Sequence, residues 1–154
     1  MGKIEKLTPE QEAQVVALRE RFFAQATSTE PADRARAEAA ARRLAEIGGV
    51  KINAVVWAKS AQDGQREYEK AWDSLRASLW DSLGDSGWTA FYAAGRDVIG
   101  VEYDPKYAEI LRLHEEIGAS CFALWIVPGA VILCERPSKC DVVDGRLVNI
   151  EWEE

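Results

Sequence analysis

Histidine, methionine and cysteine are scarce in this sequence of 154 residues, which contains one histidine, one methionine and three cysteines. A structural zinc site needs four good ligands at characteristic spacings, and none of the cysteines belongs to a Cys-x-x-Cys pair. One histidine leaves little room for a Ser-His-Asp or Cys-His arrangement. We therefore expect no catalytic residues, no metal site and no cofactor.

Other absences concern membranes, secretion and phosphate binding. No uninterrupted apolar run approaches the roughly 20 residues that a membrane-spanning helix needs, and the start, MGKIEKLTPEQE, has no apolar segment of a secretion signal. The sequence lacks a G-x-x-x-x-G-K-[ST] loop, a G-x-G-x-x-G motif after a strand and a G-x-S-x-G elbow. We expect a cytoplasmic protein without membrane contact, whose odd number of cysteines are free thiols in a reducing compartment.

Charge is unevenly distributed along the chain, whose net charge is −7. Residues 1–60 carry ten basic and eight acidic side chains, whereas residues 61–154 carry nine basic and eighteen acidic side chains. An acidic surface repels phosphate, so we do not expect the C-terminal part to bind nucleic acid. Basic side chains cluster at Arg34, Arg36, Arg42 and Arg43. We expect a solvated helix face paired with Glu38 and Glu46, and a weak anionic contact is the alternative.

Hydrophobic periodicity predicts one domain, residues 1–154, with helices over about 8–118. The predicted elements are a helix after a Thr8–Gln11 capping box, a helix from about Glu30 to Ile47, a strand from Val50 to Trp57, a helix from the Ser60 cap to about Leu83, a helix to about Ile99 and a helix from Asp104-Pro105 to Gly118. Small alanines on the inward face of the second helix would let the first two helices approach closely. On the helix that ends at about Ile99, the predicted apolar face consists of Trp88, Phe91, Tyr92, Gly95 and Val98.

The C-terminal third changes character and favours strands. Apolar runs flank the Pro128-Gly129 turn, and Asp144-Gly145 is a strong hairpin signal. We predict a four-stranded antiparallel meander over about residues 119–152. With the additional strand near residues 50–57, the predicted class is α+β, with N-terminal helices packed on the meander.

Four tandem tetrapeptides, DSLR-ASLW-DSLG-DSGW, occupy residues 73–88. Serine at every fourth position is a poor choice for helix propensity, so something other than helix formation favours it. Trp80 lies off the leucine stripe and Trp88 follows the glycines that interrupt the array. Because tryptophan and arginine are typical anchors of protein contacts, we predict a protein-binding surface formed by Trp80, Trp88, Arg76, Asp81 and Asp85.

Four segments of the chain resemble a bacterial family of uncharacterised proteins that share a domain of unknown function. They are LTPEQEAQ (Leu7–Gln14), STEPADR (Ser28–Arg34), the Asp/Ala-Ser-Leu-x tetrapeptides and ERPS…DGRL (Glu135–Leu147). The resemblance implies an architecture and no particular activity. Members commonly continue past the hairpin and carry histidines near it, where this chain has Cys140 and Val148.

Two functional hypotheses from different classes follow. The first is a cytosolic bacterial, phage-borne or plasmid-borne protein that binds another protein without catalysis, one variant being an acidic inhibitor that mimics nucleic acid. The second is a small-ligand or hydrolytic site in a cleft between the helices and the meander. Its candidate residues are Tyr92, Arg96, Asp97, Glu135 and Arg136. An arginine and an aspartate one position apart on a helix are not expected to face each other.

Overall fold

The chain forms five α-helices and five β-strands within residues 6–72 and 86–153, which the computed structural model describes. In chain order these are α1 (Pro9–Ala26), α2 (Arg34–Ile47), β1 (Ile52–Ala58), α3 (Ala61–Trp72), α4 (Ser86–Ala94), α5 (Pro105–Ser120), β2 (Ala123–Val127), β3 (Gly129–Cys134), β4 (Lys139–Val143) and β5 (Arg146–Glu151). A π-helical segment, Gly95–Ile99, continues α4. The predicted α+β class, with helices first and antiparallel strands last, is confirmed.

The strands form two sheets, and this corrects the continuous four-stranded meander that we predicted. β2 and β3 pair antiparallel, and β1 joins the other side of β3 in parallel, so the additional strand belongs to the main sheet. β4 and β5 form a separate hairpin around Asp144 and Gly145, whose positive φ values of 50° and 73° fit the predicted tight turn. The two sheets separate at Pro137, which is fully buried and has no N–H to donate to a ladder.

The starts of the helices follow their capping residues. In the capping box of α1, the Gln11 backbone N–H donates to Thr8 Oγ1 at 3.2 Å, and the Thr8 N–H donates to Gln11 Oε1 at 2.9 Å. α2 begins at Arg34 and not near Glu30, because Asp33 caps it by accepting a bond from the Arg36 N–H at 3.2 Å. The capping box is confirmed, and the predicted start of α2 was too early.

Helices cover both faces of the main sheet. On one face, α2 and α5 pack against Val131 and Leu133 of β3. On the other, Tyr68 of α3 packs against Ile132. This division follows from the strand pleat, because successive side chains of a strand point to opposite faces. α1 and α4 share a further apolar cluster that includes Phe22.

α2 contributes a face of small side chains to the core. Its buried alanines, each at most 4% exposed, are Ala37, Ala40, Ala41 and Ala45. They pack in the same cluster as Leu113 and Ile117 of α5. The helix that approaches α2 closely is therefore α5, and our expectation that it would be α1 was wrong.

Ion pairs bridge α2 and α5 along this contact. Arg36 Nη2 donates to Glu116 Oε1 at 2.9 Å, and Arg43 Nε donates to Glu109 Oε1 at 2.6 Å. The hydrogen bond from Arg36 holds the pKa of Glu116 below its ordinary value. Of the local pairs that we predicted, Arg43–Glu46 is present at 3.0 Å. The Glu38 carboxylate, the other expected partner, instead accepts a bond from the Trp57 indole N–H at 2.8 Å.

Enlarging a buried alanine of α2 is expected to destabilise the fold. We predict that Ala41→Leu lowers the free energy of unfolding by about 1–3 kcal/mol, because extra methylenes in a filled core force neighbouring side chains out of place. Ala39 lies on the exposed side of the same helix, so Ala39→Leu should change stability by less than about 0.5 kcal/mol. Urea denaturation measures both variants. Equal stabilities of the two would contradict this packing.

Candidate functional site

The predicted protein-binding surface lies largely in a part of the chain that the structure does not describe. Arg76, Trp80, Asp81 and Asp85 fall within residues 73–85, outside the described ranges. Position 88, the tryptophan at the end of the tetrapeptide array, belongs to α4. The neighbours of Trp88 on that helix therefore provide the structural context for this surface.

α4 turns small side chains inward and the rings of Phe91 and Tyr92 outward. Ala93 is fully buried and Thr89 is 9% exposed, whereas Phe91 is 67% and Tyr92 is 44% exposed. The structure therefore divides the apolar face that we predicted for this helix: Val98 is buried, whereas Phe91 and Tyr92 are exposed. The physical reason is that α1 fills the interface from its own side with large residues such as Phe22, against which alanines of α4 pack.

We give the name α4 aromatic surface to the exposed side of α4 that carries Phe91 and Tyr92. Trp88 is the aromatic residue one turn earlier in the sequence of the same helix. The Phe91 and Tyr92 rings meet edge to face with centroids 5.4 Å apart, and the Tyr92 ring meets that of Tyr103 at 5.9 Å. The Tyr103 hydroxyl donates to the Tyr92 carbonyl at 2.9 Å. The same hydroxyl of Tyr103 lies so close to Gly95 that a Cβ at position 95 would not fit. Tyr103 therefore supports the α4 aromatic surface from one side.

The π-helical segment carries a charged cluster beside this surface. Arg96 binds Asp97 through two hydrogen bonds, Nε to Oδ1 at 2.7 Å and Nη2 to Oδ2 at 2.9 Å. Its third nitrogen, Nη1, lies 2.7 Å from Glu115 Oε1 on α5. The bonds from Arg96 lower the pKa of Asp97. Our expectation that Arg96 and Asp97 would not face each other was wrong: the long arginine side chain folds back over its neighbour while reaching α5.

Glu135 and Arg136, the other half of the predicted ligand site, hold the end of β3 against the helices. Glu135 Oε1 accepts a bond from the Ala32 N–H at 2.7 Å, and Oε2 accepts one from Arg34 Nη2 at 3.3 Å. Arg136 Nη2 donates to the Ala119 carbonyl at 2.7 Å. That carbonyl lies in the last turn of α5, where carbonyls lack partners within the helix. The five candidate residues thus take part in three separate sets of contacts: Tyr92 with aromatic rings, Arg96 and Asp97 with Glu115, and Glu135 and Arg136 at the end of β3.

The three cysteines are free thiols, as predicted. Cys121 and Cys134 are 2% and 0% exposed, and burial raises the pKa of both thiols to about 12. Cys140 is half-buried, and its pKa is also raised by burial and by Asp141. Because the thiolate is the nucleophilic form, none of the three has the environment of a reactive cysteine.

Among the described residues, no group of three or more His, Cys, Asp and Glu side chains could hold a metal ion. No described helix is long and apolar enough to cross a membrane.

His114 is half-buried and lines a cavity of about 270 Å³ between α1, α4 and α5, together with Gln25 and Phe22. His114 therefore lies at the edge of the core.

A larger cleft lies between helices and strands, as the second hypothesis expected, but other residues line it. Its volume is about 740 Å³, and it opens where α2 ends, α5 begins and the β2–β3 turn approaches them. The lining includes Ile47, Tyr107, Ile110, Ile126 and Pro128. Tyr92, Arg96, Asp97, Glu135 and Arg136 are not part of this lining. The sequence signals for the cleft were the Gly48-Gly49 and Pro128-Gly129 turns, but nothing local indicated that they meet.

Comparisons with protein-family models, curated proteins and solved structures found no match to this chain. The family resemblance of its four segments stays a prediction.

The thiol environments predict how many cysteines react in the folded protein. At pH 8, Ellman's reagent should label Cys140 slowly and leave Cys121 and Cys134 unmodified, because both are buried with raised pKa values. Unfolding in guanidinium chloride should expose all three, and Cys140→Ser should remove the reaction of the folded protein. Rapid labelling of two or three thiols in the native state would contradict these burial assignments.

Proposed function

We propose that this protein is a non-enzymatic binding module that captures another protein through the α4 aromatic surface. One observation carries the proposal: α4 exposes Phe91 and Tyr92 while it buries Ala93 and Thr89. Aromatic side chains supply large contact areas and are enriched at protein interfaces. Trp88, which precedes them by one helical turn, adds the residue type found most often at the centre of such contacts.

The orientation of α4 has an energetic cost for the isolated protein. Fully burying a phenylalanine side chain stabilises a fold by about 1.5–3 kcal/mol relative to leaving it in water. α4 forgoes most of this gain at Phe91, which is 67% exposed. A partner that covers the ring would recover it. The exposed position of Phe91 therefore supports the proposal of a binding surface.

The tetrapeptide segment belongs to the same proposal. We propose that Arg76, Trp80, Asp81 and Asp85, which precede α4 in the sequence, belong to the same surface. The ion cluster of Arg96, Asp97 and Glu115 beside Tyr92 resembles the polar rim that surrounds an apolar contact.

Charge pairing supports an aromatic contact over the acidic-inhibitor variant. Three glutamates of the acidic C-terminal part form ion pairs with arginines of α2: Glu109 with Arg43, Glu116 with Arg36 and Glu135 with Arg34. These pairs reduce the field that would attract a basic partner. We therefore expect binding that changes little between low and moderate salt, whereas mimicry of nucleic acid would give a steep decrease.

Site-specific photocrosslinking tests the proposal. Benzoylphenylalanine at position 91 should crosslink one protein at near-stoichiometric yield in a lysate of the native host. The same amino acid at position 23, an exposed phenylalanine on α1, is the matched control and should not crosslink it.

Alanine variants then separate binding from folding. Phe91→Ala and Trp88→Ala should each weaken capture of that protein by tenfold or more, on the order expected for interface anchors. Both variants should keep the wild-type melting temperature, and Phe23→Ala should bind normally. Loss of folding in Phe91→Ala and Trp88→Ala would mean that the rings belong to the core. Undiminished capture by both would equally reject the proposal.

A further inference from the structure

The cleft between α2, α5 and the β2–β3 turn has the dimensions of a small-molecule site. Its volume of about 740 Å³ lies within the roughly 300–1,000 Å³ that such sites occupy. Apolar side chains form most of its lining, among them Ile47, Val50, Ile110 and Ile126. Glycines keep the walls open: Gly49 and Gly129 have φ values of 73° and 84°, a backbone conformation that L side chains rarely adopt.

Two lysines, Lys51 and Lys106, also line this apolar cleft. Both are exposed, and neither forms an ion pair with any residue in the described ranges. Lys51 precedes β1, and Lys106 lies in the first turn of α5. The two walls of the cleft therefore each carry one positive charge.

One acidic side chain of each helix, close in sequence to the cleft lining, has another partner. Glu46 in the last turn of α2 and Glu109 in the second turn of α5 both bind Arg43, at 3.0 Å and 2.6 Å. This leaves the charges of Lys51 and Lys106 available to a ligand, although the whole chain is acidic. Asp104, the N-cap residue of α5, makes no capping bond through its side chain. The positive end of the α5 dipole adds to the preference for an anion.

We infer that this cleft binds a small apolar carboxylate, with its hydrocarbon part among Ile47, Ile110 and Ile126 and its charged group held by Lys51 and Lys106. The size of the cleft selects a small molecule, the lining selects a hydrocarbon, and the lysines select a negative charge. The cleft shares no residue with the α4 aromatic surface, so this inference does not depend on the proposed protein partner.

Three eight-carbon probes test the charge preference. Titrations of octanoate, 1-octanol and octyltrimethylammonium into the isotopically labelled protein are followed by ¹H–¹⁵N NMR. Octanoate should bind about tenfold more tightly than octanol, because a charge-assisted contact adds to the same hydrocarbon contact, and octyltrimethylammonium should bind most weakly. The shifted resonances should include those of Lys51, Lys106 and Gly129.

Lysine variants locate the interaction. Lys51→Met and Lys106→Met keep most of each apolar stem but remove the charge. The double variant should weaken octanoate about tenfold and leave octanol within a factor of about two. Lys59→Met, at an exposed lysine after β1 and outside the cleft lining, should bind as the wild type does.

Four results would overturn the inference. They are equal affinities of the wild type for octanoate and octanol, undiminished octanoate binding by the folded double variant, shifts confined to residues away from the cleft, and no binding of any probe at millimolar concentration.

Discussion

The close contact between α2 and α5 is the constraint on which the rest of the described structure depends. The pairs Arg36–Glu116 and Arg43–Glu109 join residues in opposite chain order, so the two helices run antiparallel. Buried alanines of α2 allow the approach, and both helices then cover the same face of the main sheet. As a consequence, the last turn of α2 lies beside the first turn of α5, and the cleft opens between them.

Small inward side chains have different consequences in α2 and α4. In α2 most outward positions are charged, and three of its arginines form ion pairs with carboxylates of the C-terminal part. That pairing offsets part of the uneven charge distribution along the sequence. In α4 the outward positions are Phe91 and Tyr92. Packing explains the alanines of both helices, but it does not explain aromatic rings on a surface.

Sequence reasoning succeeded where the determining interactions are local. The Thr8–Gln11 capping box and the Asp144-Gly145 turn are fixed by residues within a few positions of each other. It failed where distant elements decide: the parallel pairing of β1 with β3, the choice of α5 as the partner of α2, and the orientation of Phe91. One signal in the sequence could have indicated the outward orientation of Phe91. Ala90, Ala93 and Ala94 form a small-residue stripe at helical spacing, which is an alternative inward face for α4.

Hydroxyl-radical footprinting tests the central claim, that α4 presents its aromatic residues for a partner, most directly. The account predicts rapid oxidation of Phe91 in the free protein, slow oxidation of the buried Phe22, and strong protection of Phe91 but not of Phe23 once the crosslinked partner is added. Slow oxidation of Phe91 in the free protein would place the ring in the core. Unchanged oxidation of Phe91 in the complex would place the partner elsewhere, and either result would contradict the account.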